Sequence, residues 1–143
     1  MVRSATTEDL AALRVLYGQL HPEDPVVDLG RVFATIEAQP GLDVLVLDAD
    51  GRVAATAYLN VIPNLTRSLR PYGVVENVVV DEGLRRTGLG RRLIEGTLER
   101  AWALGCYKVM LSTGSRQAST HAFYRACGFS AEDKTAYVAR PPR

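Results

Sequence analysis

Cysteine, histidine and tryptophan are scarce in this sequence, with two, two and one among 143 residues. Cys106 and Cys127 show no framework spacing, which excludes a disulfide-built secreted scaffold and leads us to expect a reducing, cytoplasmic setting. The histidines and cysteines are too few and too dispersed for a metal cluster, and no Gly-x-Ser-x-Gly elbow marks a hydrolase. No apolar run approaches the ~18 residues that a membrane helix needs, and residues 1–9 lack the basic-then-apolar order of a signal peptide. A membrane partner is therefore not expected. The formal net charge of +1 lacks the basic excess that phosphate neutralisation demands, so nucleic acid is not an expected partner either.

What remains is an ordinary soluble composition, 47% hydrophobic and 23% charged. At this length a chain buries roughly 70% of its unfolded surface in one core, and a single domain spanning residues 1–143 is expected.

Hydrophobic periodicity supplies the elements. Residues 2–5 suit a short strand. Thr6-x-x-Asp9 then resembles a capping box ahead of Leu10, Leu13, Leu16, Tyr17 and Leu20 at helical spacing. His21-Pro22 stops that helix, and Asp28 can cap a second one carrying Leu29, Val32, Phe33 and Ile36. Residues 43–49 and 52–62 read as a hairpin turning on Asp50-Gly51. Residues 72–80, with Val74-Val75 and Val78-Val79-Val80, are continuous enough for a central strand. The clearest helix runs from Gly88 to Gly105 with Leu89, Leu93, Ile94, Leu98, Ala101 and Trp102 on one face. A strand over 107–113, a helix over 117–127 closed by Gly128, and a last strand over 134–140 complete the order. Antiparallel pairs together with a strand-helix-strand crossover predict a mixed sheet in an α+β fold.

One segment carries chemistry. Residues 78–92 pass from a valine-rich strand through Arg85-Arg86-Thr87-Gly88-Leu89-Gly90 into a helix. The first N–H groups of a helix lack intrahelical partners, the helix dipole adds positive potential, and glycines allow a phosphate to approach the backbone. On turn physics alone, an anion site and a plain tight turn with solvated arginines are equally supported. A dinucleotide fingerprint would need a third glycine where Leu93 stands, and a nucleotide P-loop would need Gly-Lys-Ser or Gly-Lys-Thr where Gly90-Arg91-Arg92 stands.

Arg85-x-x-Gly88-x-Gly90 between strand and helix resembles the pyrophosphate loop of the GNAT family of acyl-CoA N-acetyltransferases. Downstream, residues 121–129, His-Ala-Phe-Tyr-Arg-Ala-Cys-Gly-Phe, resemble that family's closing helix. The resemblance implies a splayed sheet flanked by helices, acetyl-CoA as donor, and an amine as acceptor. It implies cofactor contacts from Val78, Val79, Val80, Arg85, Arg86, Thr87, Gly88, Leu89, Gly90 and Arg91, with Ser119 and Tyr124 from the closing helix. Tyr124 would donate to the leaving thiolate, and a backbone N–H near Val79 would meet the oxyanion.

Glu76, in an otherwise apolar strand, is the general-base candidate, because burial would raise its pKa into a useful range. A structural carboxylate is the competing reading. Asn60, Arg67, Arg70, Tyr72 and Asn77 are the acceptor candidates. The two arginines suit a phosphate, phosphonate or carboxylate, or are simply solvated. Asn77 points away from Glu76 in a regular strand, and a bulge would change that. Cys106-Tyr107-Lys108 and residues 111–113 bear local similarity to glucosamine-phosphate and aminoalkylphosphonate N-acetyltransferases. A small, anion-bearing metabolite or antibiotic amine is thus the expected substrate. Acetylation of a protein lysine or N-terminus, and a non-catalytic acyl-CoA sensor, stand as alternatives. A homodimer is expected by the resemblance alone.

Overall fold

A computed structural model describes residues 1–143. The chain divides into two compact units, Met1–Leu111 and Ser112–Arg143, and each is described by itself.

The first unit is built on one sheet whose strands lie in chain order: β1 (Val2–Ser4), β2 (Leu42–Ala49), β3 (Arg52–Ile62), β4 (Tyr72–Val80) and β5 (Val109–Leu111). Neighbours are antiparallel except β4 and β5, which run parallel, so the sheet is mixed as expected. Asp50 and Gly51 take φ of 51° and 78° between β2 and β3, the paired positive values of a tight hairpin turn.

Side chains alternate across a strand, and the two faces meet different helices. Leu45, Leu47, Ala55, Ala57, Leu59 and Val75 pack with Leu89, Leu93 and Ala101 of α3 (Leu89–Ala103). On the opposite face, Val44 and Val46 pack with Leu13 of α1 (Leu10–Leu20) and Phe33 of α2 (Gly30–Glu37). His21, at φ −132°, ends α1 before Pro22. The Asp28 carboxylate accepts from the Gly30 N–H at 2.8 Å, capping α2.

Three expectations need correction. Trp102 is 48% exposed rather than part of the buried α3 stripe. Thr97 goes inside instead, its hydroxyl donating to the Leu93 carbonyl at 2.7 Å, a self-satisfied polar group that hydrophobicity patterns overlook. The strand expected over 107–113 is ladder-paired only at Val109–Leu111, although the Tyr107 N–H still reaches the Pro71 carbonyl. In the second unit, helix α4 (Ala118–Ala126) forms as predicted, but residues 134–140 join no ladder and are exposed.

Arg3 fastens the start of the first unit. Its guanidinium donates to Asp9 at 2.8 Å and to Asp48 at 2.7 Å, joining β1 to the N-terminus of α1 and to β2. Asp9 also accepts from the Thr6 N–H at 2.8 Å, which is the capping element read from the sequence. The Arg3 hydrogen bond holds the Asp9 carboxyl below its ordinary 3.8 against the opposing pull of burial. A carboxyl depressed on folding contributes stability above its unfolded pKa and loses it as pH falls through the folded value. Asp9→Asn is therefore expected to cost about 1.5–3 kcal/mol at pH 7, towards the lower end because Arg3 is 38% exposed. The gap in urea midpoint between the two proteins should close below roughly pH 4. Equal midpoints at pH 7 would show that the carboxylate does not hold this corner.

Candidate active site

The site begins at a break in β4. Thr56 pairs with Val79 and Tyr58 with Glu76, so Asn77 and Val78 together face the single residue Ala57. This is a bulge, and Asn77 takes φ 52°, a left-handed value that asparagine tolerates better than most residues. The extra residue reverses the parity of the strand. Val75 before the bulge and Val78 and Val80 after it all pack on the α3 side. Glu76 and Val79 share the face of Tyr58 and Thr56.

On its other edge, β4 is paired with β5 only through Gly73, Val74 and Val75. From Glu76 to Val80 that edge has no β5 partner, so the splay begins where the bulge begins. Backbone groups there are available to an extended ligand, the chemistry that an added strand would use.

The end of β4 feeds the arginine-glycine turn. Asp81 caps a short 3-10 turn by accepting from the Gly83 N–H at 2.9 Å. Arg85 donates back to the Val80 carbonyl at 3.3 Å, and the Thr87 hydroxyl donates to the Leu84 carbonyl. Arg86 and Gly88 take φ of 64° and 83°. Gly88 is the N-cap of α3, no side chain caps the helix, and its carbonyl receives the first intrahelical bond, from the Arg92 N–H. Residues 85–88 are exposed while Leu89 is buried and anchors the helix below them. Gly90 is half-buried behind it, and Arg91 pairs along the helix with Glu95 at 2.8 Å. An exposed turn with left-handed residues, an uncapped 15-residue helix and two exposed arginines fits a pyrophosphate.

A cavity of about 280 Å³ opens beside the bulge. Asn77 lines it together with Arg14 and Tyr17 from α1 and with His21, Asp24 and Leu29 from the segment after it. Burial pushes the Tyr17 phenol above its ordinary 10.0, so it is a protonated donor at neutral pH. A second cavity, about 310 Å³, lies against α2 and β2, but its Asp43 and Ser4 are already engaged with Arg100 at 2.7 and 2.8 Å. The cavity at Asn77 is the better candidate because it adjoins the splayed strand.

The candidates from sequence are thus dispersed. Asn77, Val78, Val79, Val80 and residues 85–91 are contiguous. Glu76 is exposed rather than buried, so the burial argument for its basicity fails. Arg67 and Tyr72 lie instead with Tyr107 and Lys108, where Lys108 Nζ is 5.4 Å from the Tyr72 ring centroid and Arg67 is 5.8 Å from that of Tyr107. Arg70 donates to the Cys106 carbonyl at 3.5 Å, and Asn60 to the Val74 carbonyl at 3.2 Å. Tyr72 is eight residues before Val80, about 26 Å along a strand, so this cationic and aromatic cluster is at the far end of β4 from the turn. Arg14, Tyr17, His21 and Asp24 were not singled out. Tyr17 belongs to an apolar stripe and His21 to a helix stop, and only the polar run that follows a buried tyrosine hints at a site.

Within the second unit, Tyr124 stacks at 5.1 Å on Phe123 and edge-on at 6.1 Å on Phe129. Burial, and then the neighbouring Cys127, push its phenol above 10.0. Ser119 is exposed in the first turn of α4, and His121 Nε2 is 2.9 Å from the Ser115 carbonyl.

Known proteins agree with this geometry. Residues 10–129 match the Acetyltransferase (GNAT) family. The chain is 32% identical over 137 residues to the glucosamine 6-phosphate N-acetyltransferase of Trypanosoma brucei brucei, covering 93% of this chain and 90% of that one. It is 28% identical over 146 residues to the aminoglycoside N(6')-acetyltransferase type 1 of Stenotrophomonas maltophilia, covering 98% and 92%. A solved Agrobacterium tumefaciens protein assigned as an acetyltransferase superposes with a TM-score of 0.93 at 44% identity, covering 99% of each chain. A splayed β4, an uncapped arginine-glycine turn and these likenesses converge, and the chain belongs to the GNAT family of acetyltransferases.

Proposed function

We propose that this enzyme transfers an acetyl group from acetyl-CoA to the primary amine of a small, anion-bearing metabolite or antibiotic, by direct attack with both substrates bound. The observation that carries this reading is the bulge at Asn77. One strand break gives an unpaired edge for the cofactor on one side and a bounded cavity for an acceptor on the other. A volume of about 280 Å³ suits a small metabolite rather than a peptide segment. The relatives named for glucosamine 6-phosphate support an anion-bearing amine, and the one named for aminoglycosides supports a small-molecule amine more broadly.

In this reading the turn from Arg85 to Arg91 holds the pyrophosphate, and the backbone of Val78 and Val80 holds the pantetheine amides. The Val79 region supplies an N–H to the oxyanion. Acetyl-CoA supplies an activated thioester whose thiolate leaves once an amine has added. Tyr124, protonated at neutral pH, donates to that thiolate, and Ser119 contributes a hydroxyl to the cofactor. Exposed Glu76 accepts the amine proton through water. Arg14 offers charge and His21 a ring nitrogen to an anionic group on the acceptor, and Asp24 offers a partner to its ammonium. Arg67, Arg70, Tyr72 and Asn60 border the acceptor only if it extends along β4. A homodimer is part of the proposal on family grounds.

Acetyl-CoA at 100 times its Kd is expected to stabilise the protein by about 2.7 kcal/mol, a rise in Tm of roughly 5–10 °C. Gly88→Ala should weaken that binding about tenfold, because open space surrounds the position but its φ of 83° strains any L residue by about 1–2 kcal/mol. A panel holding glucosamine 6-phosphate, aminoglycosides and lysine peptides, read by release of free thiol, identifies the acceptor class. Binding without turnover on any of them would replace the enzyme reading with a sensor, and turnover on peptides alone would replace the small amine.

For the acid, Tyr124→Phe is expected to lower kcat roughly 100-fold while the KM for acetyl-CoA changes less than about threefold. An unchanged kcat would remove Tyr124 from the proton path.

A further inference from the structure

Gln19 lies in the last turn of α1 between Gly18 and Leu20, and both of those residues line the cavity beside Asn77. Its own amide faces elsewhere. Oε1 accepts from the Glu82 N–H at 2.9 Å, and Nε2 donates to Asp81 Oδ2 at 3.4 Å. One side chain therefore grips two successive residues that are 62 and 63 positions away in the chain.

Those two residues govern the turn. The Asp81 N–H closes onto the Ala54 carbonyl at 2.8 Å, and the Asp81 carbonyl accepts from the Leu84 N–H at 2.9 Å. Its Oδ1 accepts from the Gly83 N–H at 2.9 Å, while Arg52 stands 3.8 Å from Oδ2. From there the chain enters the exposed residues 85–88 with their two positive φ values. Nothing in the exposed stretch itself rivals this anchorage, since Thr87 and Arg85 bond only back to Leu84 and Val80.

We infer that Gln19 is a positioning residue for the cofactor turn, and that acetyl-CoA affinity depends on it although it lies on the acceptor side of β4. The inference rests on the acetyl-CoA reading of the turn. It joins the helix that forms the cavity wall to the loop that takes the pyrophosphate, so the two substrates share one mechanical element. A turn built from left-handed residues has little intrinsic preference for its bound shape, and an external fastening lowers the ordering cost on binding.

The donor and acceptor senses of this contact give a specific test. Gln19→Ala removes both bonds, and Gln19→Glu turns the Asp81 contact into one between two carboxylates. In the double variant Gln19→Glu with Asp81→Asn, the new carboxylate again accepts from Glu82 and from the new amide, and the Gly83 N–H keeps its acceptor. Calorimetric titration with acetyl-CoA should show affinity reduced about 5- to 10-fold in Gln19→Ala and at least as much in Gln19→Glu. The double variant should return to within about threefold of the parent. Amide hydrogen exchange at residues 83–90 should rise in the single variants and fall again in the double one. A Gln19→Ala Kd within twofold of the parent, or no recovery in the double variant, overturns the inference and leaves the acetyl-CoA reading intact. Failure of the parent protein itself to bind acetyl-CoA overturns both.

Discussion

Everything at this site depends on β4 carrying one residue too many for its partner. An antiparallel ladder counts residues one against one, so Asn77 and Val78 set against Ala57 alone must bend the strand. The bend cannot be shared with β5, whose parallel pairing ends at Val75. Had the strand stayed regular, Val78 and Val80 would have left the α3 face, and two apolar side chains would have lost their place in the larger core cluster. Half-buried Val78 and Val80 on the α3 face, with buried Val79 on the other, thus favour the bulge in its position, at about 25 cal/mol per Å² of apolar area. The opened edge is a consequence of core packing before it is a feature of catalysis.

The turn after β4 is the electrostatic complement of that geometry. Its positive character comes from exposed arginines and from an uncapped helix start, and neither is consumed by a carboxylate nearby in the turn. Asp81 and Glu82 precede it, but Asp81 is occupied with Gly83, Gln19 and Arg52. An acid held in that way shapes the loop without cancelling its field. Exposed arginines alone would be screened within about 8 Å at physiological salt, whereas backbone N–H groups at contact distance are not. In the acetyl-CoA reading the turn therefore relies on backbone geometry, and the arginines add long-range attraction.

Most of the elements were legible in the sequence because each had a local cause. Asp50-Gly51 demanded a hairpin, His21-Pro22 a stop, and Thr6-x-x-Asp9 a start, and all three stand where the residues put them. The strand-to-helix turn was legible for the same reason, since Gly88 at φ 83° shapes it through its own backbone. What failed was long-range. The exposure of Glu76 and of Trp102, and the absence of a ladder at 134–140, depend on what packs against each from elsewhere in the chain, which local pattern does not record. The cavity beside Asn77 was missed because it combines a helix, a proline-bounded loop and a strand bulge, which no single stretch of sequence records.

That division explains why the donor half of the reaction is better defined than the acceptor half. Backbone recognition of a pyrophosphate tolerates many side chains, so proteins named for different amines can share the strand, the bulge and the turn. The cavity beside Asn77 is walled in part by exposed side chains, Arg14 from the middle of α1, His21 at its C-cap and Asp24 in the loop between Pro22 and Pro25. Such a loop changes its residues at little cost to the core. In the proposed reading, Arg14 and Asp24 answer an acceptor that carries both an anion and an ammonium, whereas a polycationic amine would meet Arg14 as a repulsive neighbour.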